Sequence, residues 1–273
     1  MSAPDVFAER RRAFRALHDR GCFLLPNPWD VGGAVRLEKM GFKAIASSSS
    51  ACAQALGRTD YEITLAEALD QLRLLVGATI LPVNADFENG FADEPERVAA
   101  NVRLAIAAGV AGLSIEDRFG ESLFDATRAA ERVAAAKQAI VASGEDVVLV
   151  ARTEAYLLGE PDPTSVIDSL VRFVAAGADC VYAPGITDIR AIGDLVRAVA
   201  PTPVNVLLFT PAMRVSELAA AGVRRVSLGG ALASAAWQGF ESAARRFLTE
   251  GTLPAASTPT SAFIPIPAPE TIG

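Results

Sequence analysis

The stretch Val83–Phe91 reads VNADFENGF and carries two carboxylates, Asp86 and Glu88, at the end of an apolar run. If that run is a strand, side chains alternate faces with a period of two, so the pair points the same way. Like charges this close repel unless something positive lies between them. A third acid, Glu116, ends a second apolar run, GLSIED (112–117). Three oxygen donors with no histidine or cysteine beside them suit a hard divalent cation, Mg²⁺ or Mn²⁺, rather than Zn²⁺. The other reading of each acid is a cap for the following helix. Asp125, ahead of ATRAAERV, is assigned to that role.

Arg152 closes the apolar run VVLVAR, where an unpaired guanidinium would be expensive. It either forms an ion pair with Glu154 or another carboxylate, or holds a substrate carboxylate in its planar fork. Gly229-Gly230, before ALASAA, could cradle a phosphate at a helix N-terminus or simply form a tight turn. His18, the sole histidine, lies in an N-terminal helical segment and is assigned a surface or packing role. In the same segment Arg10-Arg11-Arg12 reads as a solvated helix face.

These groups need elements to position them. Eight apolar runs, at 22–27, 42–49, 80–87, 112–117, 146–154, 179–185, 203–209 and 224–230, alternate with segments of helical periodicity. Several helical segments stop at glycine directly before the next run, which is the chemistry of an αβ loop. Continuous apolar strands separated by helices imply a parallel sheet covered on its outer face. Eight such units predict a (β/α)8 TIM barrel over residues 1–251, including an N-terminal helix. No G-x-G-x-x-G follows the first run, so an open dinucleotide-binding sheet lacks its usual signature. Residues 252–273 are rich in Pro, Ser and Thr and read as a tail.

In such a barrel the chemistry belongs at the C-terminal ends of the strands. The polar residues fall there: Asn27 to Asp30 with Trp29 among them, Ser47 to Ser50, Asp86 and Glu88, Glu116 and Asp117, Arg152 and Glu154. Asn205 lies within the seventh run, while the sixth and eighth end in Pro184-Gly185 and Gly229-Gly230.

Composition narrows the function. The chain has 273 residues, 51% of them hydrophobic, and a net charge of −7. Its mean hydropathy is +0.30 and its pI near 4.9. That acidity argues against nucleic acid and anionic membranes as partners, since both attract basic patches. Cys22, Cys52 and Cys180 show no CxxC spacing and are expected as buried free thiols in a reducing compartment. With no secretory h-region and no run long enough to span a bilayer, a soluble cytoplasmic protein is expected.

The ordered motifs SSSSACAQALGRTD (47–60), VNADFENGF (83–91), GLSIEDR (112–118), VARTEAY (150–156) and PVNVLL (203–208) resemble the isocitrate lyase/phosphoenolpyruvate mutase superfamily. The likeness runs from about Asn27 to Trp237. It implies a barrel whose last helix is exchanged with a neighbouring subunit, in a homotetramer built as a dimer of dimers. It also implies Mg²⁺-assisted chemistry on small 2-oxo or 2-hydroxy carboxylates through an enolate. By this resemblance Asp86 is the nearest metal ligand, with Glu88 and Glu116 holding the ion partly through water. Glu88 replaces the second aspartate of the family's D-x-D-x-G pattern. Asp60 matches the aspartate beside the reacting group, and the N–H groups around Ser48 and Ser49 would receive the enolate oxygen. Arg152 would hold a carboxylate or developing oxyanion. The implied substrate-binding set is Trp29, Ser47, Ser48, Ser49, Asp60, Asp86, Arg152 and Asn205.

Two segments depart from the pattern. Isocitrate and methylisocitrate lyases carry a K-[KR]-C-G-H loop after the IED segment; here the chain reads RFGESLFDA (118–126). Phosphonate-handling members place a histidine after the sixth strand and a K-T-N loop after the fourth; here the sixth run ends in Ala183-Pro184-Gly185. The expected activity is therefore Mg²⁺-dependent C–C cleavage of a small 2-oxo or 2-hydroxy dicarboxylate. Asp60, or Glu121 in the short gate loop, would serve the leaving side. P–C chemistry of the phosphoenolpyruvate mutase or phosphonopyruvate hydrolase type is one alternative, and a non-catalytic 2-oxo acid binding protein the other.

Overall fold

The computed structural model describes residues 6–159 and 161–252. Most of the proline-rich tail, from residue 253 onward, lies outside the described residues. After an N-terminal helix, α1 (Val6–Leu17), the chain runs β1 (Phe23–Leu25), α2 (Val31–Lys39), β2 (Ile45–Ala46), α3 (Ser49–Ala55), α4 (Leu65–Ala78), β3 (Val83–Asp86), α5 (Pro95–Ala107) and β4 (Gly112–Glu116). A small hairpin follows, β5 (Arg118–Phe119) and β6 (Ser122–Leu123). Then come α6 (Ala126–Ser143), β7 (Val148–Arg152), α7 (Ala155–Leu158), α8 (Pro163–Ala175), β8 (Cys180–Tyr182), α9 (Ile189–Val199), β9 (Val204–Leu207), α10 (Val215–Ala220), β10 (Arg225–Ser227) and α11 (Ala231–Glu250).

Each of the eight expected runs contains one strand of a single sheet, ordered β1-β10-β9-β8-β7-β4-β3-β2. All its paired strands are parallel. The seam between β1 and β2 is drawn shut at its upper end. Ala46 N–H donates to the Pro26 carbonyl at 3.0 Å. The Asn27 amide donates to the Ser47 carbonyl at 2.8 Å and accepts the N–H groups of Leu228 and Gly229. The chain is a (β/α)8 barrel. Gly229 is committed to this seam rather than to an open cradle.

Apolar side chains fill two shells. The outer one, between strands and helices, includes Leu113, Leu149, Val181 and Val206 with Leu72, Val102, Val133 and Leu170. The inner one fills the barrel and includes Leu25, Val148, Val150 and Cys180 around Phe14 of α1. Phe14 reaches so far inward that a Cβ on Gly112 would stand 2.6 Å from its ring. Glycine at the start of β4 is what admits the plug.

The basic run on α1 differs from expectation. Arg11 is buried, donating to the carbonyls of Val110 (3.1 Å) and Ile106 (2.9 Å) and pairing with Glu145. Arg10 donates to the Val76 carbonyl at 2.8 Å. The arginines thus tie α1 across the N-terminal end of the barrel, satisfying carbonyls that a helix end leaves open. His18 packs edge-on against Phe14 and Phe23, with ring centroids 4.9 and 5.0 Å away, which is a packing role.

At the opposite end, side-chain caps begin the helices. Asp30, Ser48, Thr64, Asp125, Asp162 and Asp188 each accept an N–H from the first turn of the helix that follows. Asp125 is a cap, as expected. The last helix stands apart: of α11 only Ala233 is buried. Among the described residues no helix is long and apolar enough to cross a membrane.

Candidate active site

The barrel's C-terminal rim places Asp86, Glu116 and Arg152 at the ends of β3, β4 and β7, three neighbours in the sheet. Glu88 comes from the loop just beyond. The strand stops at Asp86 and Glu88 takes a positive φ of 44°, so alternation does not govern the pair as the sequence suggested. Tyr61 (φ 66°) and Phe91 (φ 53°) share this left-handed backbone. Among the described residues these are the non-glycine positions so held, and all three line one cavity. Backbone strain of this kind is retained only where the surroundings over-determine it, which is typical of functional sites.

Arg152 is the hub. Its Nη1 lies 3.3 Å from Asp86 Oδ1, its Nε lies 3.4 Å from Glu116 Oε2, and Nε also pairs with Glu154. The ring of Tyr182 lies 5.3 Å from the guanidinium carbon. One half-buried cation thus serves three carboxylates, with Glu88 close by. The balance is negative. Burial pushes the Glu116 carboxyl well up, with Arg152 opposing and Glu154 and Asp86 adding to the rise. Burial, then Asp86 and Asp60, raises Glu88 to about 8. Burial likewise raises Asp117 to about 6, against the hydrogen bond it accepts from Glu154 N–H at 2.9 Å.

Two buried oxygens of this cluster, Glu88 Oε1 and Glu116 Oε1, have no hydrogen-bond partner. Buried polar atoms are paired as a rule, so each calls for an explanation. An oxygen-only donor set with orphaned buried carboxylate oxygens fits a hard divalent cation that keeps several waters. Among the described residues, however, no three acidic, imidazole or thiol side chains already converge as a cage. Arg152 spans Asp86 and Glu116 and supplies the positive charge there.

The serine turn after β2 braces Asp86. Ser47 Oγ accepts the Asp86 N–H at 2.8 Å, while the Ser49 N–H and Oγ both donate to Asp86 Oδ2, at 2.9 and 3.0 Å. Ser48 caps α3. The Ser49 N–H is therefore engaged with Asp86 in the free protein. Asn205 lies in the barrel interior with both ends of its amide occupied, donating to Ser227 Oγ at 3.0 Å and accepting from Arg225 Nε at 2.8 Å. Trp29 is half-buried at the end of β1, its carbonyl accepting from Gln71.

A cavity of about 460 Å³ opens above the cluster, lined by Asp60, Tyr61, Glu88, Asn89, Phe91, Arg118 and Glu121 among others. Asp60 is exposed, yet its carboxyl borders this mouth, and partial desolvation followed by the Asp86 charge raises its pKa. Glu121, on the tip of the hairpin, is 94% exposed and lies 3.4 Å from Arg118.

Three side chains here went unread in the sequence. Tyr61 donates its hydroxyl to Glu154 at 3.2 Å and carries the Arg118 guanidinium 4.1 Å above its ring. Arg132 of α6 is fully buried, donating to the carbonyls of Glu116 (3.1 Å), Ala92 (2.6 Å) and Asn89. It binds the segments that bear Glu88 and Glu116 together. An arginine on the apolar face of α6, beside Ala129, Val133 and Ala136, is the signal that could have found it.

Residues 14–248 match the family described as phosphoenolpyruvate phosphomutase. The chain belongs to that family. It lies within the isocitrate lyase/phosphoenolpyruvate mutase superfamily, a group of lyases and mutases. It is 35% identical to an uncharacterised protein of Mycobacterium tuberculosis, over 85% of this chain and 88% of that one. It is 32% identical to an oxaloacetate decarboxylase of Chromohalobacter salexigens, over 81% and 79%. A solved Burkholderia cenocepacia structure, provisionally described as a lyase/mutase, superposes with a TM-score of 0.89 at 45% identity, covering 91% of this chain and 92% of that one. In this phosphoenolpyruvate phosphomutase family member the polar rim of the barrel gathers Asp86, Glu116 and Arg152 from three neighbouring strands.

Proposed function

We propose that the protein is a Mg²⁺-dependent carbon–carbon lyase acting on a small 2-oxo or 2-hydroxy dicarboxylate through an enolate, with Mn²⁺ an acceptable substitute. The observation that carries this reading is the Arg152 hub, with its surplus of buried carboxylate and the orphaned oxygens of Glu88 and Glu116. Asp86, Glu88 and Glu116 would hold the ion, and when bound it supplies a Lewis acid for the substrate's carboxylate and 2-oxygen.

The chain's own residues do the rest. Arg152 offers a fixed cation to the charge that grows on the enolate oxygen, in a site where reorganising water is not needed. The turn at Ser47, Ser48 and Ser49 locks Asp86, and Ser49 can pass its N–H to an incoming oxygen. Asp60, at the mouth with its carboxyl pushed upward, exchanges a proton on the leaving side. Glu121 can reach that side from the hairpin. Asn205 acts from below, through Ser227 and Tyr182, on the face of Arg152. Trp29 belongs to the same rim.

Carbon–carbon rather than phosphorus–carbon chemistry is favoured by the lining of the mouth. Asp60, Glu88 and Glu121 leave Arg118 as its lone cationic side chain, a poor match for a phosphoryl dianion. The test is product analysis by NMR across 2-oxo and 2-hydroxy diacids, with Mg²⁺ or with chelator. Metal-dependent cleavage lost in Asp60→Ala supports the reading. Acids that bind with Mg²⁺ but never break would make this a binding protein, and no binding at all would overturn it.

We propose further that α11 packs on a second copy, within a homotetramer. Phe240, Phe247 and Leu248 on this helix are exposed in the single chain. A helix with an apolar stripe needs a surface to cover it.

A further inference from the structure

The cluster holds one arginine shared among three carboxylates, Arg152, and the mouth holds another with a single solvated partner. Arg118 begins the β5–β6 hairpin and lines the cavity. Its Nε donates to the Gly120 carbonyl at 2.8 Å. Its guanidinium carbon lies over the Tyr61 ring, 4.1 Å from the centroid. Its single carboxylate partner, Glu121, is 3.4 Å away and 94% exposed, so water screens the pair to little net strength. A main-chain carbonyl, a phenol and a solvated acid hold Arg118 in place without neutralising it.

Position adds to this. Tyr61 bridges the two levels of the site, its hydroxyl on Glu154 beside Arg152 and its ring beneath Arg118. A single phenol therefore links the inner carboxylate cluster to the outer guanidinium. The remaining ionisable lining, Asp60, Glu88 and Glu121, is acidic and offers an anion no positive charge. A second substrate carboxylate entering this mouth has one favourable place to go. The Asn89 amide, donating to the Arg118 carbonyl at 3.4 Å, fastens the hairpin to the loop that carries Glu88 and so keeps that place fixed relative to the inner site.

We infer that Arg118 is the specificity-determining residue that receives the distal carboxylate of a dicarboxylic substrate, the proximal 2-oxo or 2-hydroxy acid being held at the inner cluster. With Nε on the Gly120 carbonyl and Nη2 on an exposed acid that a ligand can displace, the two terminal nitrogens can offer a carboxylate a two-pronged contact, a geometry that lysine cannot reproduce. The inference rests on the lyase reading and names the selectivity of that same site.

Calorimetric binding to the full chain in Mg²⁺ tests it with two ligand pairs that differ only by the distal carboxylate, malate against lactate and oxaloacetate against pyruvate. Wild-type protein is expected to prefer the diacid by about ten- to hundredfold, the worth of a charge-assisted contact. In Arg118→Gln the preference should collapse to within about threefold, with lactate and pyruvate affinities unchanged. Arg118→Lys should fall between, and thermal melts of both variants verify folding. An unchanged diacid preference in Arg118→Gln overturns the inference alone, as does an equal loss for both members of each pair. If no acid binds wild-type protein in Mg²⁺, the lyase reading falls and takes the inference with it.

Discussion

Arg152 Nη1 and Asp86 Oδ1 lie 3.3 Å apart and join β7 to β3 across the intervening β4. The contact closes a ring of charge in which Glu116 of β4 is also held, 3.4 Å from Arg152 Nε. Breaking a buried ion pair by removing one partner strands the others without compensation. Arg152→Gln is therefore expected to destabilise the fold by about 3–5 kcal/mol in urea denaturation. Turnover should fall by at least about a hundredfold, as when a preorganised donor is lost. Full stability in the variant would mean that water, not Arg152, neutralises the cluster.

Glu88 illustrates the opposite balance. Its Oε1 is buried without a partner beside Asp86, so its charge works against the ligand-free fold. Glu88→Gln should raise the stability of metal-free protein by about 1–2 kcal/mol while weakening Mg²⁺ binding by an order of magnitude or more. Melting curves with and without Mg²⁺ measure both effects. A variant that is less stable in the absence of metal would show that Glu88 is a structural acid.

The barrel was legible because its strands are buried on both faces, and a run such as VVLVA (147–151) then has no polar phase to obscure it. Arg152 and the three candidate metal ligands stood out because they end apolar runs and, unlike Asp125, do not stand directly before a helical segment. Other features depend on contacts between distant segments. The sequence around Arg11 reads as an amphipathic surface helix, since nothing local announces that the carbonyls of Ile106 and Val110 await it. Glu88 seemed to share a strand face with Asp86 because the turn signal Asn89-Gly90 begins one residue later, whereas Glu88 itself already takes the left-handed backbone. Tyr61 gave no signal of its own; its importance arises only when the βα loop after α3 folds over β7.

The His18 imidazole sets a pH dependence far from the site. Burial first, and then the Arg225 charge, lower its pKa to about 3 from an ordinary 6.5. The folded protein thus holds neutral imidazole while the unfolded chain takes up a proton below 6.5. Between the two values the unfolded state binds more protons, so this stability is fully present above pH 6.5 and is lost as pH falls towards 3. Near pH 5 the loss amounts to about 2 kcal/mol. The difference in unfolding free energy between wild type and His18→Gln, followed from pH 7 to 5, should narrow by that amount. A constant difference would place His18 in water.

The exposed face of α11 makes a prediction about assembly. A helix that buries only Ala233 in its own chain, and leaves Phe240, Phe247 and Leu248 in solvent, gains little from its own barrel. Specific association buries upwards of about 1,000 Å², which aromatic side chains supply efficiently. Light scattering after size exclusion should therefore report a mass near four times the 28.5 kDa chain. Phe240→Glu with Phe247→Glu places two charges in that contact and should release smaller species that keep the barrel's far-UV spectrum. A wild-type monomer at micromolar concentration would refute the exchange of α11 between subunits. A tetramer indifferent to both substitutions would put the interface elsewhere on the barrel, where Leu74 and Ile80 offer the next exposed apolar surface.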